Sequence, residues 1–81
     1  MTKDDIRTCF LEELVNVAPD IDPETVQPDS HLQDDLGLDS MDILNLVTAL
    51  HARLGIDIPE KSYPEIATPA RAVDWIARAM G

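Results

Sequence analysis

The segment best suited to chemistry runs from Asp34 to Asp42 and reads Asp-Asp-Leu-Gly-Leu-Asp-Ser-Met-Asp. Its one nucleophile is Ser40, which follows a glycine-containing loop and stands at the start of a predicted helix. A helix N-terminus presents free N–H groups and the positive end of the helix dipole, so it stabilises a phosphate attached there. The pattern therefore predicts an exposed serine that is suited to covalent modification and to presentation to another protein.

A purely structural interpretation of the same position is also open. Ser and Asp are the usual helix N-caps, so either Ser40 or Asp39 is explained by that role when position alone is considered.

Other catalytic and metal-binding patterns are absent from the sequence. His31 and His51 lack metal-ligand spacing, and the acids lack the Asp-x-Asp-x-Asp-Gly order of a calcium loop. The single cysteine, Cys9, excludes an internal disulfide and a cysteine zinc site, and we expect it in the core. No Gly-x-Ser-x-Gly motif supports a hydrolase that uses Ser40. We therefore predict no metal site and no catalytic residue; the alternative is a small hydrolase that uses Ser40.

The apolar periodicity predicts an all-α fold, a small four-helix bundle of three main helices and one short helix. The main helices are expected over Lys3–Val17, Ser40–Leu54 and Pro69–Met80, and the short one around Tyr63–Ala67. Between helices one and two we expect a long ordered loop, Ala18–Asp39, with a short helical turn at Pro23–Val26. Its apolar residues should anchor it to the core: Ile21, Val26, Leu32, Leu36 and Leu38.

Two helices carry an apolar stripe on one face. In helix two the stripe consists of Ile43, Leu46, Val47, Leu50 and Leu54. In the last helix it consists of Ala72, Val73, Ile76 and Met80. We expect these residues in the core; the alternative is that the helix-two face, together with Ile58 and Ile66, parts to shelter an apolar chain.

The charge distribution narrows the range of partners. Sixteen Asp and Glu residues against six Lys and Arg residues give a net charge of −10. No Lys or Arg lies between Arg7 and Arg53, so the middle of the chain is the negative pole. This balance argues against nucleic acid and anionic membranes, which require a basic face. We expect basic protein surfaces as partners, and a monomer because no conspicuous sticky surface argues for more. Because the first residues do not form a signal peptide, we expect a cytoplasmic location.

The Asp-Leu-Gly-Leu-Asp-Ser-Met-Asp segment, followed by an apolar-striped helix, resembles the acyl carrier protein family. The resemblance extends over nearly the whole chain, which has an apolar first helix, a long loop, Ile-x-Ile-Pro at 56–59 and a final helix. It implies one carrier domain over residues 1–81. It also implies a protein that catalyses nothing itself.

Position by position, the resemblance implies that Ser40 carries 4′-phosphopantetheine. Asp39 is then the acidic residue before it, and Met41 stands where the family usually has Leu or Met. A phosphopantetheinyl transferase would install the arm from coenzyme A. The arm's thiol would hold an acyl group as a thioester, for delivery from an acyl-loading enzyme to acyl-processing enzymes.

The acids around the serine are expected to contact basic docking patches on these enzymes, because complementary charge raises association rates and selects partners. The expected contact residues are Asp34, Asp35, Asp39, Met41 and Asp42. The structural alternative is an acidic loop that is merely solvated, with Met41 partly buried beneath it.

The sequence departs from the commonest fatty-acid carriers along helix two, where those carriers usually continue acidic. Here the exposed positions are Asn45, Thr48, His51, Ala52 and Arg53. We therefore expect a specialised lipid or secondary-metabolite pathway. Peptidyl, aryl or D-alanyl cargo remains possible, as does an unmodified helical interaction module.

Overall fold

Three α-helices and two short 3₁₀ helices follow one another along the chain in the computed structural model, which describes residues 1–81. The α-helices are α1 (Lys3–Val17), α2 (Ser40–Leu54) and α3 (Pro69–Met80), and the 3₁₀ helices are Pro23–Thr25 and Glu60–Ile66. Helix α1 packs against both α2 and α3, and the second 3₁₀ helix packs against α3. The all-α prediction is confirmed. No helix combines the length and the apolar character that a bilayer crossing needs.

The ends of the α-helices lie where local chemistry predicts them. Thr2 caps α1: its hydroxyl accepts from the Asp5 N–H at 3.1 Å, and the Asp5 carboxylate accepts from the Thr2 N–H at 3.2 Å. Helix α2 ends at Gly55, whose φ of 71° is left-handed and suits glycine. Helix α3 begins with Pro69 after Thr68, whose hydroxyl accepts from the Arg71 N–H.

The core is aliphatic and includes one aromatic ring, that of Phe10. Residues from all three α-helices meet in it, and the long loop contributes three buried anchors, Val26, Leu32 and Leu38. Ile21 and Leu36 are half-buried and pack against the same core. Cys9 is buried, as predicted. Each buried aliphatic side chain contributes about 1.5–3 kcal/mol, so the anchors hold in one conformation a loop whose only regular element is the 3₁₀ helix Pro23–Thr25.

Two predictions about the second half of the chain were wrong in detail. The short helix begins at Glu60 rather than at Tyr63, because the first turn is closed by a hydrogen bond from the Ser62 N–H to the Pro59 carbonyl at 2.8 Å. Met80 is 41% exposed instead of belonging to the core, because it lies in the last turn of α3, beyond the final buried residue Ile76.

An ion pair ties the end of α2 to α1. The Arg53 guanidinium lies 2.9 Å from a Glu12 carboxylate oxygen and 3.6 Å from one of Glu13. The hydrogen bond to Glu12 raises the pKa of Arg53. Ser40 lies at the opposite end of α2.

Candidate functional site

Ser40 is the first residue of α2, and its side chain is exposed. The N-cap is Asp39, whose carboxylate accepts from the Asp42 N–H at 2.8 Å. The Asp42 carboxylate in turn accepts from the Asp39 N–H at 3.2 Å, which completes a capping box. The capping role is therefore filled by the neighbouring aspartate. No hydrogen bond within the protein engages the Ser40 hydroxyl.

A tight turn in front of the helix fixes where this hydroxyl lies. The Asp35 carboxylate accepts from the His31 N–H at 2.7 Å, while the His31 Nδ1 accepts from the N–H groups of Gln33 and Asp34 at 3.2 and 3.1 Å. Because Nδ1 accepts two bonds, the neutral ring carries its proton on Nε2. The two side chains thus cap backbone N–H groups at the start of the same turn.

Gly37 closes that turn with a φ of 77°, a left-handed conformation that other residues adopt at a cost. Its N–H donates to the Gln33 carbonyl at 3.1 Å, and the Leu38 N–H donates to the Leu32 carbonyl at 3.0 Å. Leu32 and Leu38 are both buried. Backbone hydrogen bonds and two buried leucines therefore fix the conformation of the segment that leads to Ser40.

The five predicted partner-contact residues fall into two groups. Asp39, Met41 and Asp42 surround Ser40 on the first turn of α2, and Met41 is 62% exposed. Asp34 and Asp35 lie in the preceding turn, both exposed. Of these four aspartates, Asp34 is the one whose side chain accepts no backbone hydrogen bond; its carboxylate lies 3.8 Å from the His31 Nδ1. Leu44, one turn after Ser40, is 46% exposed and was not among the predicted residues.

A groove of about 650 Å³ opens beside Ser40. It lies between the start of α2, the His31 turn, the second 3₁₀ helix and the first turn of α3. Its lining is half apolar and comprises His31, Gln33, Ser40, Met41, Ile43, Leu44, Glu60, Tyr63, Pro64, Ile66, Ala67 and Arg71. Of the two isoleucines expected to border an acyl shelter together with α2, Ile66 lines the groove, whereas Ile58 is buried in the core and does not.

Most of the groove's polar residues were missed by the sequence analysis. Gln33, Glu60, Tyr63 and Arg71 come from three separate elements, and no spacing in the sequence brings them together. In the sequence, the available signal for this wall of the groove was the pair Tyr63-Pro64 in a short helix before α3. The packing of that short helix against α3 places these residues opposite Ser40, and this packing depends on long-range contacts.

No catalytic arrangement surrounds the serine. Neither histidine forms a hydrogen bond to Ser40: His31 is engaged by the turn, and the His51 Nδ1 lies 2.8 Å from the Ile56 carbonyl at the far end of α2. An exposed, unengaged hydroxyl at a helix N-terminus beside an open groove does fit a phosphate-linked group, because neither a competing bond nor a covering side chain obstructs it.

Most of the chain matches one protein family and several known relatives. The family described as the phosphopantetheine attachment site matches residues 6–76. An acyl carrier protein of Wolinella succinogenes is 37% identical over 73 residues, which cover 90% of each chain. One of Sulfurovum sp. (strain NBC37-1) is 40% identical over 73 residues, covering 90% of this chain and 91% of the relative. A non-reducing polyketide synthase of Preussia isomera is 31% identical over 71 residues, 88% of this chain but 3% of that protein.

Proposed function

The chain belongs to the acyl carrier proteins that bear a phosphopantetheine attachment site, and we propose that Ser40 is the residue to which the arm is attached. The protein is a carrier and not an enzyme. The arm is a covalent 4′-phosphopantetheine, whose terminal thiol holds acyl groups as thioesters. The observation that supports Ser40 is its free hydroxyl, exposed at the first position of α2 while Asp39 provides the cap.

The start of α2 suits a phosphodiester at this hydroxyl. The first N–H groups of a helix have no partner within the helix, and the dipole favours negative charge there by about 0.3–1 kcal/mol. Asp39 satisfies the N–H of Asp42 and leaves the side chain of Ser40 pointing into solvent. The chain's own contribution is therefore to hold one hydroxyl in a fixed place and to keep its surroundings open.

The carrier interacts with acyl-processing enzymes, and we propose that they dock on the first turn of α2 and the turn before it. Asp34, Asp35, Asp39 and Asp42 supply the negative charge there, and exposed Met41 supplies an apolar contact between them. The proposed partners are a phosphopantetheinyl transferase, an acyl-loading enzyme and processing enzymes with basic docking patches. Charge complementarity steers their approach and leaves release fast, which a shuttle requires.

The proposed pathway is a specialised one in lipid or secondary metabolism. Asn45, Thr48, His51, Ala52 and Arg53 are all exposed along α2, so the negative surface ends after its first turn. Enzymes that read a longer acidic helix would find fewer contacts here. The proposal also includes a monomeric domain of residues 1–81 and a cytoplasmic location.

Intact mass after coexpression with a broad-specificity phosphopantetheinyl transferase tests the assignment. The wild-type chain should gain one phosphopantetheinyl unit, and Ser40→Ala should gain none. Thr48→Ala is the matched control, because it removes another exposed hydroxyl from the same helix. A wild-type chain that stays unmodified would favour the unmodified interaction module. A Ser40→Ala chain that is still modified would move the attachment elsewhere.

A further inference from the structure

Arg71 is the only Lys or Arg residue that lines the groove beside Ser40. Lys3 and Arg53 form ion pairs with carboxylates, whereas the other four basic residues do not, and among those four only Arg71 lines this groove. The side chain is exposed. In a chain with a net charge of −10, an unpaired guanidinium in this position is available to an anionic group from outside the fold.

The position of Arg71 within its helix is electrostatically unfavourable. It lies in the first turn of α3, where the dipole favours acids and disfavours cations, and that turn holds no Asp or Glu. A residue that violates a local structural preference, as this cation does in the first turn, is typical of a functional position when no contact within the fold compensates it. By contrast, Arg78 lies in the last turn of the same helix, where the dipole favours it, and its Nε donates to the Asp74 carbonyl at 3.4 Å.

Further polar groups line the groove without partners. Neither the Tyr63 hydroxyl nor the Gln33 amide forms a side-chain hydrogen bond within the protein, and Tyr63 is half-buried. An aliphatic chain lying in the groove would cover these polar groups without offering them hydrogen bonds, and this costs free energy. Glu60 is the one carboxylate in the lining, and it opposes an anion.

We propose that Arg71 binds an anionic oxygen group of the loaded carrier inside this groove, with Tyr63 and Gln33 as neighbouring donors. This inference rests on Ser40 bearing the arm. The anion is either the phosphodiester next to Ser40 or a carboxylate carried by the acyl cargo. If the anion is a cargo carboxylate, the groove selects acidic acyl groups over purely aliphatic ones.

The test uses the arm alone and two loaded forms. A broad-specificity transferase converts the full chain to the holo form and, from the corresponding coenzyme A thioesters, to hexanoyl and glutaryl forms. Glutaryl carries a terminal carboxylate, and hexanoyl does not. Each form is made in wild type, Arg71→Gln and Arg78→Gln, because Gln keeps part of the apolar stem and removes the charge. The readouts are the ³¹P chemical shift of the arm and the rate of thioester cleavage by hydroxylamine.

If a cargo carboxylate is the anion, Arg71→Gln accelerates cleavage of the glutaryl thioester by about two- to five-fold, the effect of losing one exposed ion pair. Hexanoyl cleavage stays unchanged, Arg78→Gln behaves like wild type, and Glu60→Gln slows glutaryl cleavage. If the phosphodiester is the anion, the ³¹P shift of the holo form moves in Arg71→Gln alone.

Three results would overturn the inference. One is an unchanged ³¹P shift together with unchanged glutaryl cleavage in Arg71→Gln. Another is equal acceleration of hexanoyl and glutaryl cleavage with an unchanged ³¹P shift, because that pattern assigns Arg71 an apolar packing role. A third is failure of every variant to accept an arm, which removes the proposed function and this inference together. Normal loading with no Arg71 effect removes the inference alone.

Discussion

Asp39 and Asp42 cap each other across the first turn of α2, each carboxylate accepting from the other residue's N–H, at 2.8 and 3.2 Å. Ser40 lies between them and takes no part in the capping. The two acids supply negative charge beside Ser40 and also hold the end of the helix in place. Substitutions that remove the cap and substitutions that remove only the charge therefore distinguish the structural role of these acids from their proposed docking role.

Replacing Asp39 by Ala should destabilise the fold by about 1 kcal/mol, because the N-cap of α2 is lost. Asp39→Asn should stay within about 0.5 kcal/mol of wild type, since an Asn side chain still accepts the bond from the Asp42 N–H. Urea unfolding followed by circular dichroism measures both. Equal losses for the two variants would mean that the charge, and not the cap, stabilises this end of the helix.

Asp34→Asn isolates the docking charge, because the Asp34 side chain caps no backbone group. We expect transferase association to slow by about two- to five-fold at low ionic strength and the difference to vanish in high salt. Asp57→Asn removes the same charge beyond the far end of α2 and should leave association unchanged. Stopped-flow kinetics across a salt series provides the measurement. Identical behaviour of the two variants would mean that only net charge matters.

Leu32→Ala should destabilise the fold by about 2–5 kcal/mol, because Leu32 is fully buried and its truncation leaves a cavity. Amide hydrogen exchange should accelerate most in the turn before Ser40, which Leu32 anchors. Leu44→Ala is the control: the same atoms are deleted at a position that is 46% exposed, so the change should stay within about 0.5 kcal/mol. Uniform acceleration over all helices in Leu32→Ala, without local enhancement, would contradict the anchoring role.

Gly37→Ala should cost about 1–2 kcal/mol, since a Cβ is disfavoured at a φ of 77°. No atom lies within 4 Å of the added Cβ, so the cost is conformational and not a clash. Gly37→Asn should therefore recover part of the loss, because Asn tolerates the left-handed region better than Ala. Thermal unfolding compares the three proteins. An Asn variant less stable than the Ala variant would contradict this explanation.

Helix boundaries were predictable because their signals are local. Thr2 and Asp5, Thr68 and Pro69, and Gly55 each act within a few residues of the chain, and all three α-helices lie where these residues place them. The exposed position of Ser40 at the start of α2 follows from the same local chemistry. The sequence left open whether Ser40 or Asp39 caps the helix, because both are good caps.

The groove was not predictable in the same way. Its walls depend on how the 3₁₀ helix Glu60–Ile66 packs against α3, and that packing joins residues far apart in sequence. Periodicity identified the stripe of α2 that faces the core but not the exposure of Leu44 beside it. It also placed Met80 in the core, because a helical wheel does not show where a helix runs past its neighbours.

Peptide mapping of the transferase-modified chain tests the central claim most directly. Tandem mass spectrometry of the peptide that contains residues 34–42 should place one phosphopantetheinyl group on Ser40 in every modified molecule. The group on any other residue, or a complete lack of modification under conditions that fully modify an established carrier, would contradict the account.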